Sequence, residues 1–335
     1  MKKLTLIISI FLVAMTSCHS GKQFLDNAAP EERALNIMKV TDEEKTTVLM
    51  PEVRSGFPKN FATTRWSGNK NNGIHWGCNK LLSASPDGDE IAYMTAENKQ
   101  TNIMIRRTTA NGSATQRTFR DVTDFSWGGD GKLYFSGEGI SVIDAHVGSL
   151  VRQLTNNESD CNPTVTDDGK LLFFSRFDRT GPSIWSLNLE NGALTQCAVG
   201  YEPCTIGNNK EAFVCVRNNT SGCSEIWLVD FVKGQETIIL SDKNISYSHP
   251  CVSPNGQWLV CQGNSKSSIN KKQNTDIFAI RMDGTGLVQL TFHPAQDHCP
   301  VFSADGRYVF FLSDRANKKE HTNIWRMNLN NMMGF

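Results

Sequence analysis

The chain is short of almost everything that announces a chemistry. It has no Gly-x-Ser-x-Gly elbow, which excludes a hydrolase nucleophile of that kind. No phosphate-cradling glycine loop occurs either, and Asp283-Gly284-Thr285-Gly286 falls where a hairpin is expected. Ten cysteines and seven histidines include no close-spaced Cys-x-x-Cys or His-x-x-x-His pair, so the usual short signature of a zinc site is missing. An excess of either charge is missing too. With 34 Lys and Arg against 34 Asp and Glu, no basic field draws the chain to nucleic acid. Beyond the N-terminus, no apolar run approaches the roughly 20 residues of a spanning helix.

What is present begins with a separate N-terminal element. Lys2 and Lys3 precede a nearly unbroken apolar stretch, Leu4 to Val13, which reads as a secretory leader too short to span a bilayer. Its end, Ala14-Met15-Thr16-Ser17-Cys18, resembles a bacterial lipobox, so residues 1–17 are expected to be removed and Cys18 lipidated. The alternative is an ordinary signal peptide cut nearby, leaving a soluble protein. Removing residues 1–17 takes two lysines and no acid, leaving 32 basic against 34 acidic residues. Residues 18–45 read as a tether in which Pro30 to Met38 could form a short helix, with proline and acids in its first turn. Nine cysteines follow Cys18, an odd number that cannot all pair. Cys215 and Cys223 flank a predicted hairpin and are the candidate disulfide, while most of the others read as small buried residues in tight strands.

Residues 46–335 are organised by one recurring pattern. A turn of the Ser-Pro-Asp-Gly type is followed by an apolar strand, a variable loop, and then Ile-Trp/Phe. The turns end at Gly88, Gly131, Gly169, Asn209, Gly256 and Gly306, spaced by 43, 38, 40, 47 and 50 residues. A period of that size with strands inside it predicts an all-β, six-bladed β-propeller with four-stranded antiparallel blades. Pro163, Pro203, Pro250 and Pro300 stand six residues before their turn residues, at the start of an innermost strand, where a missing N–H costs least. The Trp or Phe of the third strand, at one register in every repeat, is expected to pack between blades. The sixth repeat lacks a fourth strand, and Thr46 to Met50 is the segment expected to supply it, closing the ring.

The stretches Asp160-Cys161-Asn162-Pro163 and Asp297-His298-Cys299-Pro300-Val301-Phe302-Ser303-Ala304-Asp305-Gly306 resemble the Tol-type propeller repeat, in which Asp-x-x-Pro leads into Ser-Pro-Asp-Gly. The resemblance covers residues 78 to 328. It implies a TolB-like, WD40-like propeller lipoprotein of a Gram-negative bacterium, of the Bacteroides group. The chain departs from TolB in having a lipidation cysteine and no α/β domain before the propeller.

Residues at the starts of the innermost strands converge on the channel, and these are the candidate binding residues: Asp160, Glu202, Tyr247, His249, Asp297 and His298. A ring of acids, imidazoles and nearby thiols could hold a divalent metal, but the spacing supports none. No catalytic residue, metal or cofactor is assigned. The expected function is a lipid-anchored binding or scaffold module at the periplasmic face of the outer membrane. It is expected to act as a monomer and to engage an envelope protein or peptide, with a glycan as a further option. The alternative is a propeller lyase or hydrolase acting on uronic-acid oligosaccharides, with His249 or His298 as base and Arg176, Arg179 or Arg217 pairing with a substrate carboxylate. The loop from Gly263 to Asn274, with Lys266, Lys271 and Lys272, is a candidate contact surface.

Overall fold

The structure is a computed structural model that describes residues 30–41, 80–97, 100–109, 113–118, 122–147, 150–266, 273–315 and 322–329. Six four-stranded antiparallel sheets form a six-bladed β-propeller. Blade three shows the common plan: Asp160–Val165, Leu171–Asp178, Gly181–Asn188 and Leu194–Val199 run from the axis outward. The innermost strands of the other blades are Leu82–Ala84, Asp124–Trp127, Tyr201–Thr205, Ser246–Val252 and Asp297–Phe302, each in contact with the next around the axis. The ring closes where blade six meets blade one.

The turn after each innermost strand is built by its own side chains. In blade one Ser85 Oγ donates to Asp87 Oδ1 at 2.5 Å, that oxygen accepts the Asp89 amide at 3.0 Å, and Ser85 Oγ accepts the Glu90 amide at 2.9 Å. Thr166 with Asp168, Ser253 with Asn255, and Ser303 with Asp305 repeat the device at 2.6 to 2.7 Å. These short polar side chains satisfy backbone groups that the hairpin ladder leaves open. The turn glycine takes φ of 67–81° in five of the blades, a conformation that glycine adopts without strain.

Between blades the aromatic register does what its repetition implies. Trp185 packs against a cluster containing Tyr134, Val142 and Phe174, and Trp227 against Phe173 and Phe213. Phe278 and Trp325 fill the next two contacts, with Leu259 and Trp258 respectively. Second strands such as Leu172–Phe174 are buried on both faces, hence their loss of alternation.

The strand that completes blade six is not the expected one. Met38–Lys39 pairs antiparallel with Asn323–Asn328, Met38 opposite Arg326, so the closing strand lies within the segment read as a tether. Thr46 to Met50 lies outside the described residues, as do Cys18, the leader, Lys271 and Lys272. A 3-10 helix, Pro30–Leu35, leads into the closing strand. Its Glu32 is wholly buried and accepts hydrogen bonds from the Phe292 amide at 2.7 Å, the His293 amide at 3.1 Å and both terminal nitrogens of Arg315 at 3.2 and 3.3 Å. Arg315 also binds Asp297, tying the N-terminal segment to the innermost strand of blade six.

The proposed Cys215–Cys223 disulfide is overturned by the register. Trp227, not Cys223, stands opposite Cys215, and Cys223 sits beyond the end of the ladder, where Asn218 meets Ser224. Both thiols are free, Cys215 buried and Cys223 with Sγ 3.4 Å from the Lys243 carbonyl.

Removing one member of a buried ion cluster leaves the others desolvated and unpaired. Glu32→Ala is therefore expected to cost about 3–5 kcal/mol, read as a lower midpoint in urea unfolding. An unchanged midpoint would show that the N-terminal segment does not carry ring closure.

Candidate functional site: the axial cavity

The four X-Pro steps of the innermost strands share a conformation that the sequence does not advertise. Asn162, Glu202, His249 and Cys299, each immediately before a proline, have φ of 50, 50, 53 and 51°. A bulky residue in the left-handed region is strained, and a following proline disfavours helical backbone further, so four such sites must be held by their surroundings. Each lies at a one-residue interruption of the pairing with the second strand. The bulge frees one amide, and each freed amide donates to a side chain of the preceding blade. Asn162 N reaches Asp124 Oδ1 at 3.0 Å, Glu202 N reaches Ser175 Oγ at 2.9 Å, His249 N reaches Glu202 Oε2 at 2.5 Å, and Cys299 N reaches Gln262 Oε1 at 3.0 Å. The result is a belt of inter-blade hydrogen bonds around the axis.

That belt accounts for most of the sequence-derived candidates. Asp160 is buried and holds Arg176 bidentately at 2.6 and 2.9 Å, and the guanidinium stacks 4.5 Å over Trp185. Asp297 is held by Arg315. Glu202 is committed to the His249 amide, and Tyr247 is buried edge-on against Phe278 at 5.5 Å. Among the described residues neither ring nitrogen of His298 has a hydrogen-bond partner. Of the six candidates His249 lines the axial cavity, and the other five are not among the residues that line it. Two of the candidate arginines are also occupied: Arg176 as above, and Arg217 by Glu236, with both bonds at 2.7 Å. Arg179 is exposed at the tip of a blade-three hairpin.

The cavity has a volume of about 440 Å³ and lies on the axis. It runs from His249 and Cys299 at the level of the belt to the turns joining first and second strands, where Pro86, Gly129, Gly207, Pro254 and Ala304 line it. Its wall is mainly small, with hydroxyl groups from Ser83, Ser85, Ser126, Thr164, Thr205, Ser253 and Ser303, and it carries one acid, Asp167, whose carboxyl pKa is raised by burial and by the neighbouring Asp168. Lys80, ahead of blade one, extends its ammonium to the Pro203 carbonyl of blade four at 2.9 Å. Blades one and four are opposite in a ring of six, so this side chain crosses the channel and forms a floor. Ser126 and Trp127 line the cavity, and their polar atoms, Ser126 Oγ and Trp127 Nε1, are buried with no hydrogen-bond partner among the described residues. The sequence signal for these liners was present but unread: they occupy positions one to four residues beyond the proline register.

Burial controls the charges beneath this wall. It pushes Asp124 up to about 6, against hydrogen bonds from Ser136 and Asn162 and the charge of Lys80. Glu202 is raised by burial in the same way, with His249 opposing. His298 is held neutral, pushed down to about 3 by burial and then by His249. Among the described residues no three of His, Cys, Asp and Glu gather closely enough to hold a metal ion.

No protein-family model matches the sequence. Among solved structures, TolB from Acinetobacter baumannii aligns with a TM-score of 0.57 and 16% identity over 72% of this chain, which spans 63% of that one, under two thirds of its length. A putative TolB from Agrobacterium tumefaciens gives 0.56 and 15% over 74% of this chain and 89% of its own. The fold is that of a TolB-like propeller. An oligogalacturonate lyase from Vibrio parahaemolyticus aligns equally well, at 0.56 and 11% over 88% of this chain and 93% of that one. At such identities the TolB-like likeness is one of fold and leaves function to the site.

His298 gives the site a measurable pH dependence. A histidine whose folded pKa is depressed contributes stability that is full above about 6.5 and is lost as pH falls toward 3. Asp124, raised to about 6, works the other way, its contribution present below 3.8 and lost as pH rises through 6. His298→Leu should leave stability at pH 7 unchanged or higher, and should exceed the wild type by a few kcal/mol near pH 4, at ~1.4 kcal/mol per pKa unit. Parallel stability–pH curves for the two proteins would refute the neutral buried imidazole.

Proposed function

We propose that this chain is a non-catalytic binding propeller of the bacterial cell envelope that holds an extended peptide segment of a partner protein in its axial cavity. The observation that carries this reading is the contrast between wall and belt. The cavity offers small hydroxyl and apolar surface, whereas Asp160, Glu202, Asp297 and His298 are consumed or sealed behind it. A pocket of this size with a few convergent polar groups suits a ligand held by shape and main-chain hydrogen bonds. A general base requires a titratable group within reach of substrate; of the six candidates His249 lines this cavity, and Asp167 is the one carboxylate on its wall. The envelope location is supported by the leader-like residues 1–17 and the lipobox around Cys18, which would anchor the propeller to a membrane through acyl chains. No helix of the described residues is long and apolar enough to cross a membrane. The second reading, a lyase on uronic-acid oligosaccharides, is favoured by the near-complete mutual coverage with the Vibrio lyase.

Ser126→Trp fills the cavity without removing a hydrogen bond seen among the described residues. Crosslinking in intact envelopes followed by mass spectrometry should recover a specific protein with the native chain and lose it with Ser126→Trp. Recovery that is indifferent to the substitution, or cleavage of oligogalacturonate by the purified native chain that Ser126→Trp abolishes, would overturn the peptide-binding reading.

A further inference from the structure

One lysine and one carboxylate line the axial cavity, and they stand at its opposite ends. Lys80 precedes the innermost strand of blade one, whereas Asp167 follows the innermost strand of blade three, in the turn that leads to the second strand. The Lys80 ammonium reaches the level of the proline register, where it donates to the Pro203 carbonyl at 2.9 Å. Asp167 lies four positions beyond Pro163, so about 13 Å of strand separates the two levels. An ammonium carries three donors, and among the described residues the Pro203 carbonyl takes one of them. The two buried acids that feel the Lys80 charge, Asp124 and Glu202, are engaged by the Asn162 and His249 amides. Asp167 is exposed, and its carboxylate has neither an ion pair nor a hydrogen bond among the described residues, while the adjacent Asp168 takes Lys210 at 2.7 Å. At the same turn position the other blades carry Pro86, Gly129, Gly207, Pro254 and Ala304, so in this ring of cavity liners only Asp167 is charged.

We infer that the cavity is polarised for the C-terminal tail of a partner protein entering carboxylate first, with the terminal carboxylate on the Lys80 ammonium and a basic side chain of the same tail on Asp167. The assignment rests on the peptide-binding reading and gives the bound segment a direction and a charge pattern. An extended chain rises about 3.3 Å per residue, so a tail of about four residues spans the two charges. A carboxylate that takes the open ammonium donors makes charge-assisted hydrogen bonds, which are shorter and stronger than neutral ones. A terminus enters a channel floored by Lys80 as a single strand, whereas an internal segment must fold back and bring two. An N-terminal ammonium entering the same way would meet Lys80 with like charge. At the other end, burial and Asp168 disfavour the charged form of Asp167, and a basic side chain beside it reverses that effect.

The test is affinity selection on the detergent-solubilised full-length chain from two pools of N-acetylated random pentapeptides, one with free C-termini and one amidated, with the retained peptides identified by mass spectrometry. The free-acid pool should be retained roughly 10–100-fold better than the amidated pool, the range for a hydrogen bond to a charged group, and lysine and arginine should be enriched toward the N-terminal end of the retained peptides. Lys80→Met should remove the preference for free acid, and Asp167→Asn should remove the enrichment of basic residues, each leaving the other intact. Lys80→Arg should keep the preference for acid. Equal retention of the two pools by the native chain, lost for both in Ser126→Trp, would overturn the carboxylate anchor while peptide binding stands. Retention of neither pool would overturn the peptide reading and the anchor together, and trigalacturonate retained in the same format would then mark the ligand as a uronate. Should Lys80→Met not fold, the comparison of acid with amide on the native chain decides alone.

Discussion

Ring closure is the constraint on which the rest of this structure depends. A propeller whose first and last blades do not meet exposes an apolar seam and two sheet edges. Here the seam is closed by a strand of only two residues, Met38–Lys39, which offers few ladder bonds. The closing segment is held instead by what flanks it. Leu35 and Ile37 join the apolar cluster of Trp258, Phe311 and Trp325, and Glu32 enters the ion cluster with Arg315 and Asp297. Desolvating three charges is costly, so the cluster is stable only while every member keeps its partners. That requirement makes closure specific: the N-terminal segment fits in one position, with its carboxylate against the Phe292 and His293 amides.

The same economy explains the belt at the axis. Each proline removes a backbone donor near the start of an innermost strand, and the bulge beside it frees an amide that must find another acceptor. The acceptors come from the preceding blade, so a local backbone irregularity becomes an inter-blade fastening. The acceptors use two repeat positions: Asp124 and Glu202 stand just before the proline register, and Ser175 and Gln262 share one place on the second strand. What links them is geometry, and geometry also removes them from chemistry. A carboxylate that fastens a strained amide inside a wall is not available to a substrate.

The architecture was legible because it repeats. Turn residues at fixed offsets, apolar second strands and the Ile-Trp/Phe register each signal weakly alone, but six copies in phase leave little room for another fold. The closing strand was not legible: two residues carry no periodicity, and Met38–Lys39 is recognisable only from what it pairs with. The candidate site was only partly legible. Aligning on the prolines located the axis correctly, yet acids and histidines drew attention for their chemistry, whereas burial had already assigned them to structure. Arg176 and Arg315, the partners of Asp160 and Asp297, lie 16 and 18 residues downstream on or beyond the second strand, a pairing set by hairpin register rather than by any motif. The Cys215–Cys223 expectation failed for a related reason. Spacing across a hairpin does not fix which residues face each other until the register is known, and a shift of a few positions put Trp227 opposite Cys215.

What remains for function is the part of the axis that structure does not consume. Along the cavity the wall is hydroxyl, proline and small apolar surface, and the ionisable residues that line it are Lys80, Asp167 and His249, with Cys204, Cys251 and Cys299. These come from five of the six blades. A catalytic constellation needs a nucleophile or base, an orienting partner and a charge-stabilising group within about 3 Å of one point. The described residues distribute their donors along the length and around the circumference of the channel instead, an arrangement suited to an extended ligand lying along it. The lysine that bridges opposite blades sets the depth such a ligand can reach, and the buried acids and neutral histidine pack behind it.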